Sequence, residues 1–377
     1  MDFDWTEDDV KYREDIRTFL REALPPNWAG WHRASVEEYR RESKRFCAAM
    51  AKAGFFTQNW PVEYGGQGAS AWKACVLSEE FATRGDPRGP QYMNVNWIGP
   101  AIMQYGTPEQ MEYHLKRISA GDVCWCQGFS EPDAGSDLAS LRTRAVREGD
   151  EYVINGTKIW TSHVPLAEFC FLLVRTHPTE KRSGGISCLL VPMDIQGLEV
   201  RAIPGLLGEG AFAQLIFTDA RVPVSCRLGS ENRGWEVVRW ALAFERVGIA
   251  HYRAAGLRLD RIAKRAHDAG LMDDAELRSK LGHARAMIEA ARVLFYRIVD
   301  LREHDSPPTA DANLSRIAGT AAYQAVAEVA QLVADLGTDT GAGGLNANSV
   351  AAGTTEVQLD QVATRYLGLP RPPVRTA

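Results

Sequence analysis

One short segment, residues 127–137, holds the densest group of polar side chains and glycines in the sequence. Gln127, Phe129, Ser130 and Ser136 lie in it. Small side chains and free backbone N–H groups let a planar or phosphorylated ligand approach the main chain closely. The same composition also suits an ordinary tight connection, and the segment alone does not decide between the two.

A second polar segment covers residues 155–162. Asn155-Gly156 is a hairpin turn signal, and the strand expected after it carries Trp160 beside the hydroxyls of Thr161 and Ser162. The indole of Trp160 offers a broad π-face to a flat ligand. A single Trp on a strand is more often part of a core, so this segment also leaves both interpretations open.

Common nucleotide, metal and nucleophile motifs are absent from the sequence. It contains no P-loop, no strand-linked G-x-G-x-x-G, no H-E-x-x-H and no G-x-S-x-G elbow. The eight His are dispersed and form no metal-ligand pair. We therefore expect no metal, and a nucleotide cofactor would have to be held in some other way.

The elements that position these segments follow from the period of the apolar residues. Helical spacing dominates before about residue 120 and returns after Gly234. Between them lie short β-type runs separated by turn signals. This order predicts an α+β fold with a helical domain at 1–122, a β-domain at 123–228 and a second helical domain at 229–377. Predicted helices include one that starts at Thr6 and others at 36–53, 71–82, 235–252, 276–302 and 314–336; the predicted strands centre on 152–154, 169–174, 186–191 and 214–217.

Composition excludes several classes of protein. The 377 residues carry 43 Lys and Arg against 48 Asp and Glu, with no basic block, so a nucleic-acid binder is disfavoured. The longest apolar run, 169–174, is far shorter than the ~20 residues of a membrane span. The acidic N-terminus does not resemble a signal peptide. Seven scattered Cys without zinc spacing indicate reduced thiols, and we expect a cytoplasmic protein.

Taken together, the two polar segments resemble the acyl-CoA dehydrogenase family. Residues 130–138 read Ser-Glu-Pro-Asp-Ala-Gly-Ser-Asp-Leu, and residues 155–160 read Asn-Gly-Thr-Lys-Ile-Trp. The resemblance implies an N-terminal helical domain, a central antiparallel β-barrel or sandwich and a C-terminal four-helix bundle. Further segments extend it along nearly the whole chain: 59–66, 234–235, 245–246, 353–356 and 367–371.

The resemblance implies FAD as the cofactor and assigns roles to matching positions. Phe129 and Ser130 would lie along the pyrimidine edge of the flavin, and Ser136 would meet the pyrophosphate. Trp160 would pack on the isoalloxazine, with the Ser162 hydroxyl near N5. The implied cofactor-binding set is Gln127, Phe129, Ser130, Ser136, Trp160, Ser162, Thr354 and Glu356.

The resemblance also implies a base for the α-proton of a thioester, and here the chain departs from the commonest pattern. Many family members carry Glu directly before the Gly-Thr of the C-terminal motif, where this chain has Ala352. Some relatives place the base in a Glu-Arg pair, which Glu245 and Arg246 match. Apolar neighbours at helical spacing (Val238, Leu242, Val247 and Ile249) would raise the pKa of Glu245 and improve it as a base. The alternative is a structural Glu paired with Arg246 or another Arg.

Two further departures bear on assembly. Residues 266–271 lack the Arg that the family supplies across a subunit boundary, and the glycine-rich flavin-contacting stretch is altered at 335–339. FAD sites of the family are shared between subunits. The chain is similar in this respect to actinobacterial relatives that act on steroid side chains as α2β2 assemblies. We therefore expect either a complementary partner subunit or a homo-oligomer, most simply a tetramer.

These inferences combine into one leading function and two alternatives. The leading function is FAD-dependent α,β-dehydrogenation of an acyl-CoA, with Glu245 as base, Ser136 and Arg246 contacting substrate, and an electron-transferring flavoprotein as acceptor. The first alternative is a catalytically silent subunit that completes a neighbour's FAD site. The second is a flavin monooxygenase on the same fold. Acyl chain length cannot be read from the sequence, although analogy favours a polycyclic or branched acyl group.

Overall fold

The computed structural model describes residues 5–28, 30, 35–177, 183–204, 212–245, 250–304, 310–333 and 353–370, with the backbone alone at 243–245. Two π-helical turns, Asn94–Ile98 and Val362–Tyr366, extend the regular helices. The helices are α1 (Glu7–Ala23), α2 (Val36–Lys52), α3 (Ala71–Ala82), α4 (Gln91–Met93), α5 (Gly99–Tyr105), α6 (Pro108–Ser119), α7 (Gly234–Glu245), α8 (His251–Asp268), α9 (Ala275–Glu303), α10 (Ala310–Leu332) and α11 (Thr355–Gln361). The strands are β1 (Trp125–Gly128), β2 (Arg144–Glu148), β3 (Glu151–Ser162), β4 (Phe169–Arg175), β5 (Ile186–Pro192), β6 (Leu198–Ile203), β7 (Phe212–Pro223) and β8 (Arg227–Leu228).

Helices, then one sheet, then helices follow each other along the chain, which confirms the predicted α+β class. The chain forms two compact units. The sheet unit contains Leu20–Ala69 and Pro87–Glu245, and the helical unit contains Met1–Phe19, Ser70–Asp86 and Arg246–Ala377. The domain bounds at 122 and 228 stay a prediction.

The sheet unit is built on one sheet with the strand order β6-β7-β3-β2-β4-β5-β8, and β1 pairs with β4. Most pairings are antiparallel, as predicted, but β1 and β2 both run parallel to β4. The inward side chains form one apolar cluster under the sheet. Its fully buried members include Tyr152, Ile154, Leu172, Leu189, Leu215 and Val222.

One turn prediction in this sheet is wrong. Asn155-Gly156 does not end a strand but lies inside β3, where the register against β7 shifts between Ile154 and Gly156. Asn155 and Asp219 bind each other through an Asn155 Nδ2 to Asp219 Oδ1 bond of 2.9 Å and an Asp219 N to Asn155 Oδ1 bond of 3.0 Å. Gly156 has a φ of 146°, and a Cβ there would lie 2.6 Å from Thr143 Cα. The two steps from Ile154 to Gly156 oppose three steps from Ala220 to Phe217, so the extra residue of this bulge lies in β7, and Gly156 lets β3 pass close to the chain at Thr143.

The helical unit packs α8, α9 and α10 around an apolar centre, with α3 against it. Helix α1 begins where Thr6 predicted it: Thr6 Oγ1 accepts from Asp9 N at 3.1 Å, and Asp9 accepts from the Thr6 hydroxyl at 2.6 Å. The single helix predicted for 235–252 differs from the structure. There α7 ends at Glu245 and α8 begins at His251, and residues 246–249 lie outside the described part of the chain.

Gly66 allows a close backbone contact that we expect to be sensitive to substitution. A Cβ on Gly66 would lie 1.9 Å from the Trp60 carbonyl oxygen, which is backbone and cannot swing away. Trp60 is buried, and its Nε1 donates to the Val95 carbonyl at 2.9 Å. We expect Gly66→Ala to lower the free energy of unfolding by about 1–3 kcal/mol, measured by urea denaturation, because the backbone must shift. Gly135→Ala is the matched control, since its Cβ meets nothing within 4 Å; equal losses in the two variants would contradict the prediction.

Candidate functional site

The first polar segment begins where β1 ends. β1 lies beside β4 with Gly128 opposite Leu172. A Cβ on Gly128 would lie 2.6 Å from Leu172 Cδ1 and 2.8 Å from Cys170 Sγ, so a larger residue would require one of these side chains to shift. Phe129 and Ser130 follow at once and are half-buried. The end of β1 is thus fixed to the sheet before the chain enters the loop.

Glu131 ties the two ends of that loop together. Its main chain exchanges two hydrogen bonds with Ala134, of 2.9 and 3.1 Å. Its carboxylate accepts from the backbone N–H groups of Arg142 at 2.6 Å and Thr143 at 2.8 Å. Between these anchors Ser136 is exposed. The loop therefore presents Ser136 to solvent from a fixed base.

Lys158 is the counter-ion of Glu131 and is fully buried. Its Nζ donates to Glu131 Oε1 at 2.7 Å and to the Phe129 carbonyl at 3.1 Å. Burial, partly offset by the Glu131 carboxylate, lowers the pKa of Lys158 to about 8. Burial opposes ionisation of Glu131 as well, but Lys158 and the donors to its carboxylate hold the pKa of Glu131 below its ordinary value. An ion pair therefore lies directly beneath the main chain of Phe129.

Trp160 projects from a bulge in β3. Lys158 pairs with Leu215 and Thr161 with Ala213, so three steps on β3 oppose two on β7. Trp160 takes up the extra residue with a φ of 59°, a left-handed conformation that is costly for a side chain of this size. It is 57% exposed, whereas its neighbours Lys158 and Thr161 are buried. The bulge turns the indole of Trp160 outward between two buried residues of the strand.

The end of β3 adds further polar groups. Ser162 is half-buried, and the Thr161 hydroxyl is buried without a hydrogen-bond partner among the described residues. His163, also left-handed with a φ of 61°, has its pKa lowered to about 4 by burial and is neutral at pH 7. The exposed aromatic face of Trp160 and the half-buried side chain of Ser162 suit a flat, polar-edged ring such as a flavin.

Two of the predicted segments meet in the structure. Ile159 N donates to the Ser130 carbonyl at 2.9 Å, which joins the end of β1 to the bulge of β3. Five predicted cofactor residues are carried on these joined ends and a sixth, Ser136, on the loop between β1 and β2. The five are Gln127, Phe129, Ser130, Trp160 and Ser162.

The remaining predicted residues belong to other elements of the chain than β1, β3 and the loop between β1 and β2. In the helical unit, Thr354 caps α11 by accepting from Val357 N at 3.3 Å, and Glu356 lies in the first turn of that helix. In the sheet unit, Glu245 is the last residue of α7, and its side chain is outside the described residues. Arg246, Ala352 and residues 335–339 are also outside them. The roles of all these residues stay predictions.

Sequence reasoning gave no role to Lys158 or Glu131, although both lie within the quoted motifs. The available signal was a lysine in the middle of a strand whose other large side chains are mainly apolar, an unusual position for an unpaired charge. Its partner, 27 residues earlier, could not be identified from spacing.

Metal-binding clusters and membrane-spanning helices are both missing from the described residues. Among these residues, no group of His, Cys, Asp and Glu could hold a metal ion. Nor does any helix in the described part of the chain have the length and apolar composition of a membrane span.

Comparison with known proteins gives matches along the chain. Three protein-family models match consecutive parts of the chain. The model for the acyl-CoA dehydrogenase N-terminal domain matches residues 6–122, the model for the middle domain matches 126–220, and the model for the C-terminal domain matches 232–367. The chain is 32% identical to acyl-CoA dehydrogenase FadE26 of Mycobacterium tuberculosis, over 98% of this chain and 99% of that protein.

Solved structures give the same result. A structure titled "Tcur3481-Tcur3483 steroid ACAD" has a TM-score of 0.86 at 30% identity, covering 99% of this chain and all of that one. The ChsE4-ChsE5 complex from Mycobacterium tuberculosis has a TM-score of 0.83 at 32% identity, with the same coverage of 99% and 100%. These likenesses confirm the predicted fold, the enzyme class and the cofactor of the family. The chain belongs to the acyl-CoA dehydrogenase family of flavin-dependent oxidoreductases, whose cofactor is FAD.

Proposed function

We propose that this chain converts an acyl-CoA thioester to the trans-2-enoyl-CoA, with Glu245 as the base that removes the α-proton. The observation that carries this proposal is the exposed, left-handed Trp160, which is joined through Ile159 to the fixed main chain of Ser130. The indole of Trp160 therefore lies close in the structure to the hydrogen-bonding groups of the Ser130 main chain. Family membership supplies the reaction class, and the site supplies a surface on which a flavin would bind.

Different residues of the sheet unit would contact different parts of the cofactor. Trp160 would cover a face of the ring system, and Phe129 and Ser130 would lie along its polar edge. Ser136, exposed in the glycine-containing loop, would donate to a phosphate oxygen. When bound, FAD accepts the hydride that leaves the β-carbon of the substrate.

Helix α7 fixes the position from which Glu245 would act. A Cβ on Gly234 would lie 2.5 Å from Cys188 N, so the first turn of α7 is pressed against β5. Val237, Val238 and Ala241 are buried along the same helix. The backbone of Glu245 is thus attached to the unit that carries Trp160. A carboxylate there would accept the α-proton and keep it while the substrate forms its double bond.

We further propose a complementary partner subunit and a bulky acyl substrate. Two relatives in the comparison are assemblies of two different chains by their titles, and one title contains the word steroid. The missing Arg in residues 266–271 and the altered stretch at 335–339 support an FAD site that a second chain completes. Electrons would leave to an electron-transferring flavoprotein.

Visible absorption of the purified chain, followed by anaerobic titration with acyl-CoA thioesters, tests this function. We expect flavin absorbance, from the chain alone or after addition of its partner, and loss of that absorbance with one class of thioester. Steroid, branched and straight-chain acyl-CoAs should be compared at equal concentration. The monooxygenase alternative predicts a flavin that no thioester reduces but that, once reduced by an added reductant such as dithionite or NADH, is reoxidised by oxygen with insertion of an oxygen atom into a substrate. That result would contradict the proposal.

A further inference from the structure

We propose that Lys158 and Glu131 are a buried positioning pair that sets the orientation of the Phe129-Ser130 peptide toward FAD. The proposal rests on the function proposed above, since it assumes that the flavin edge lies along these residues. It adds two residues to which the resemblance gives no role. Lys158 and Glu131 would not touch the cofactor; they would act through the main chain.

Lys158 fixes the direction of one peptide group. Lys158 Nζ donates to the Phe129 carbonyl at 3.1 Å, so this oxygen points toward the buried side of the loop. No described peptide bond is cis. In a trans peptide the N–H points opposite to the C=O. The N–H of Ser130 is therefore directed away from Lys158, and it would be a donor for an acceptor on the flavin edge.

The neighbouring peptide groups are held by hydrogen bonds as well. The Ser130 carbonyl accepts from Ile159 N at 2.9 Å, and Glu131 N donates to Ala134 O at 2.9 Å. Glu131 holds Lys158 at 2.7 Å and also accepts from the N–H groups of Arg142 and Thr143. One carboxylate thus connects the lysine, the start of the loop and its end. Loss of the pair would release the peptide that precedes Ser130.

Stability alone does not account for the pair. A buried ion pair often contributes no more stability than apolar side chains of similar size, because both charges lose their hydration. Lys158 is nevertheless fully buried, and its stem lies near Gly128, where a Cβ would be 3.6 Å from Lys158 Cγ. Arg175, another cation near Glu131, donates instead to the carbonyls of Ala139 and Leu141. Lys158 is therefore the cation that reaches the Phe129 carbonyl.

The test measures the affinity of the full chain for FAD. If the wild-type chain binds FAD only together with its partner subunit, every variant is measured with that subunit present. Lys158→Met keeps the length of the side chain and removes the donor. We expect at least a tenfold rise in the Kd for FAD, measured by quenching of flavin fluorescence, and a shift of the visible band of bound flavin. Arg117→Met is the matched control: it removes an ion pair to Glu168 at 2.8 Å in the same unit, and the other described side-chain partners of these two residues are Lys44, Tyr113 and Phe169 rather than residues of the loop. We expect its FAD affinity to equal that of wild type.

Two further measurements separate positioning from folding. The double variant Lys158→Met/Glu131→Gln leaves no unpaired charge. If the pair acts only in folding, the double variant recovers both the urea midpoint and the FAD affinity of wild type, which would overturn the proposal. We expect the midpoint to recover in part while the affinity stays low. If Lys158→Met does not fold, the same comparison is made with Lys158→Gln, which keeps a neutral donor and is expected to bind FAD less tightly than wild type.

Failure of the underlying function has a different signature. A wild-type chain that binds no FAD, alone or with its partner, would overturn the proposed function and with it the role of the pair. A wild-type chain that binds FAD while Lys158→Met binds it equally well would overturn the positioning pair alone.

Discussion

Replacement of Glu245 by Gln is expected to slow anaerobic flavin reduction by an acyl-CoA by roughly 10²–10⁴-fold, the usual contribution of a general base. The amide is similar in size to the carboxylate but cannot take up the α-proton. Because the substitution does not alter the predicted flavin contacts, we expect the FAD content to be unchanged. Stopped-flow absorbance of the flavin after mixing with thioester measures the rate directly.

Glu236→Gln provides the matched control on the same helix. Glu236 is exposed in the first turn of α7 and pairs with Arg233 at 2.5 Å. We expect this variant to reduce its flavin at the wild-type rate. An unchanged rate in Glu245→Gln would contradict the assignment of the base and favour the alternative in which this chain is a silent subunit.

The second large effect is expected in the helical unit, where Arg13→Met should lower the free energy of unfolding by about 3–5 kcal/mol. Arg13 bridges two buried carboxylates: its Nη2 donates to Glu79 at 2.6 Å and its Nη1 donates to Glu80 at 2.7 Å. Tyr252 and Tyr296 also donate to Glu79, at 2.6 and 2.7 Å. Loss of the guanidinium would leave two carboxylates in the interior without their shared cation. Urea unfolding measures the loss.

Lys11→Met is the control for this prediction, because Lys11 also pairs with a carboxylate, that of Asp15, but on the surface. An exposed ion pair of this kind contributes little to stability, because water screens both charges. A loss in Arg13→Met no larger than in Lys11→Met would contradict the role of the buried network.

The same network predicts the direction of a pH effect. Burial opposes ionisation of Glu80, but its bonds to Arg17 and Arg13 outweigh it and hold the pKa of Glu80 below 4.5. A depressed carboxylate pKa stabilises the folded state at pH values above the unfolded pKa, and this contribution is lost as the pH falls through the folded pKa. Wild type should therefore lose stability on acidification below pH 4.5 more steeply than Arg13→Met. Urea midpoints measured from pH 6 downward would show the two curves converging.

The parts of the fold that the sequence predicted well are those with a strong local signal. Strands β4 and β5 are buried at nearly every position, so each appears as an unbroken apolar run. Helix α3 was predicted with the bounds that it has. Strands β2 and β6 were missed because most of their residues are exposed and polar. They are strands because they pair with β3 and β7, which is a tertiary property.

The site could be predicted as a list of residues but not as an arrangement. The motifs around Ser130 and Trp160 are visible in the sequence, yet the contact between them depends on the bond from Ile159 to Ser130 and on the bonds from Lys158 to Phe129 and Glu131. The exposed, left-handed conformation of Trp160 depends on a register shift against β7. Burial of Lys158 depends on Glu131, a partner in another segment. Such features arise from strand pairing, so local sequence patterns do not contain them.

The division of the helical unit into three stretches of chain has a consequence for synthesis on the ribosome. Every residue of α3 from Cys75 to Phe81 is buried, and its partners come much later: Ala250 bonds to Ser78 from 172 residues away and Tyr296 to Glu79 from 217. At about 5–20 residues per second, α3 emerges on the order of ten seconds before α8 is made. During that interval its apolar surface and two carboxylates have none of their final partners in α8 and α9. A nascent chain that stalls near Glu245 would keep this helix without the partners that bury it in the folded protein.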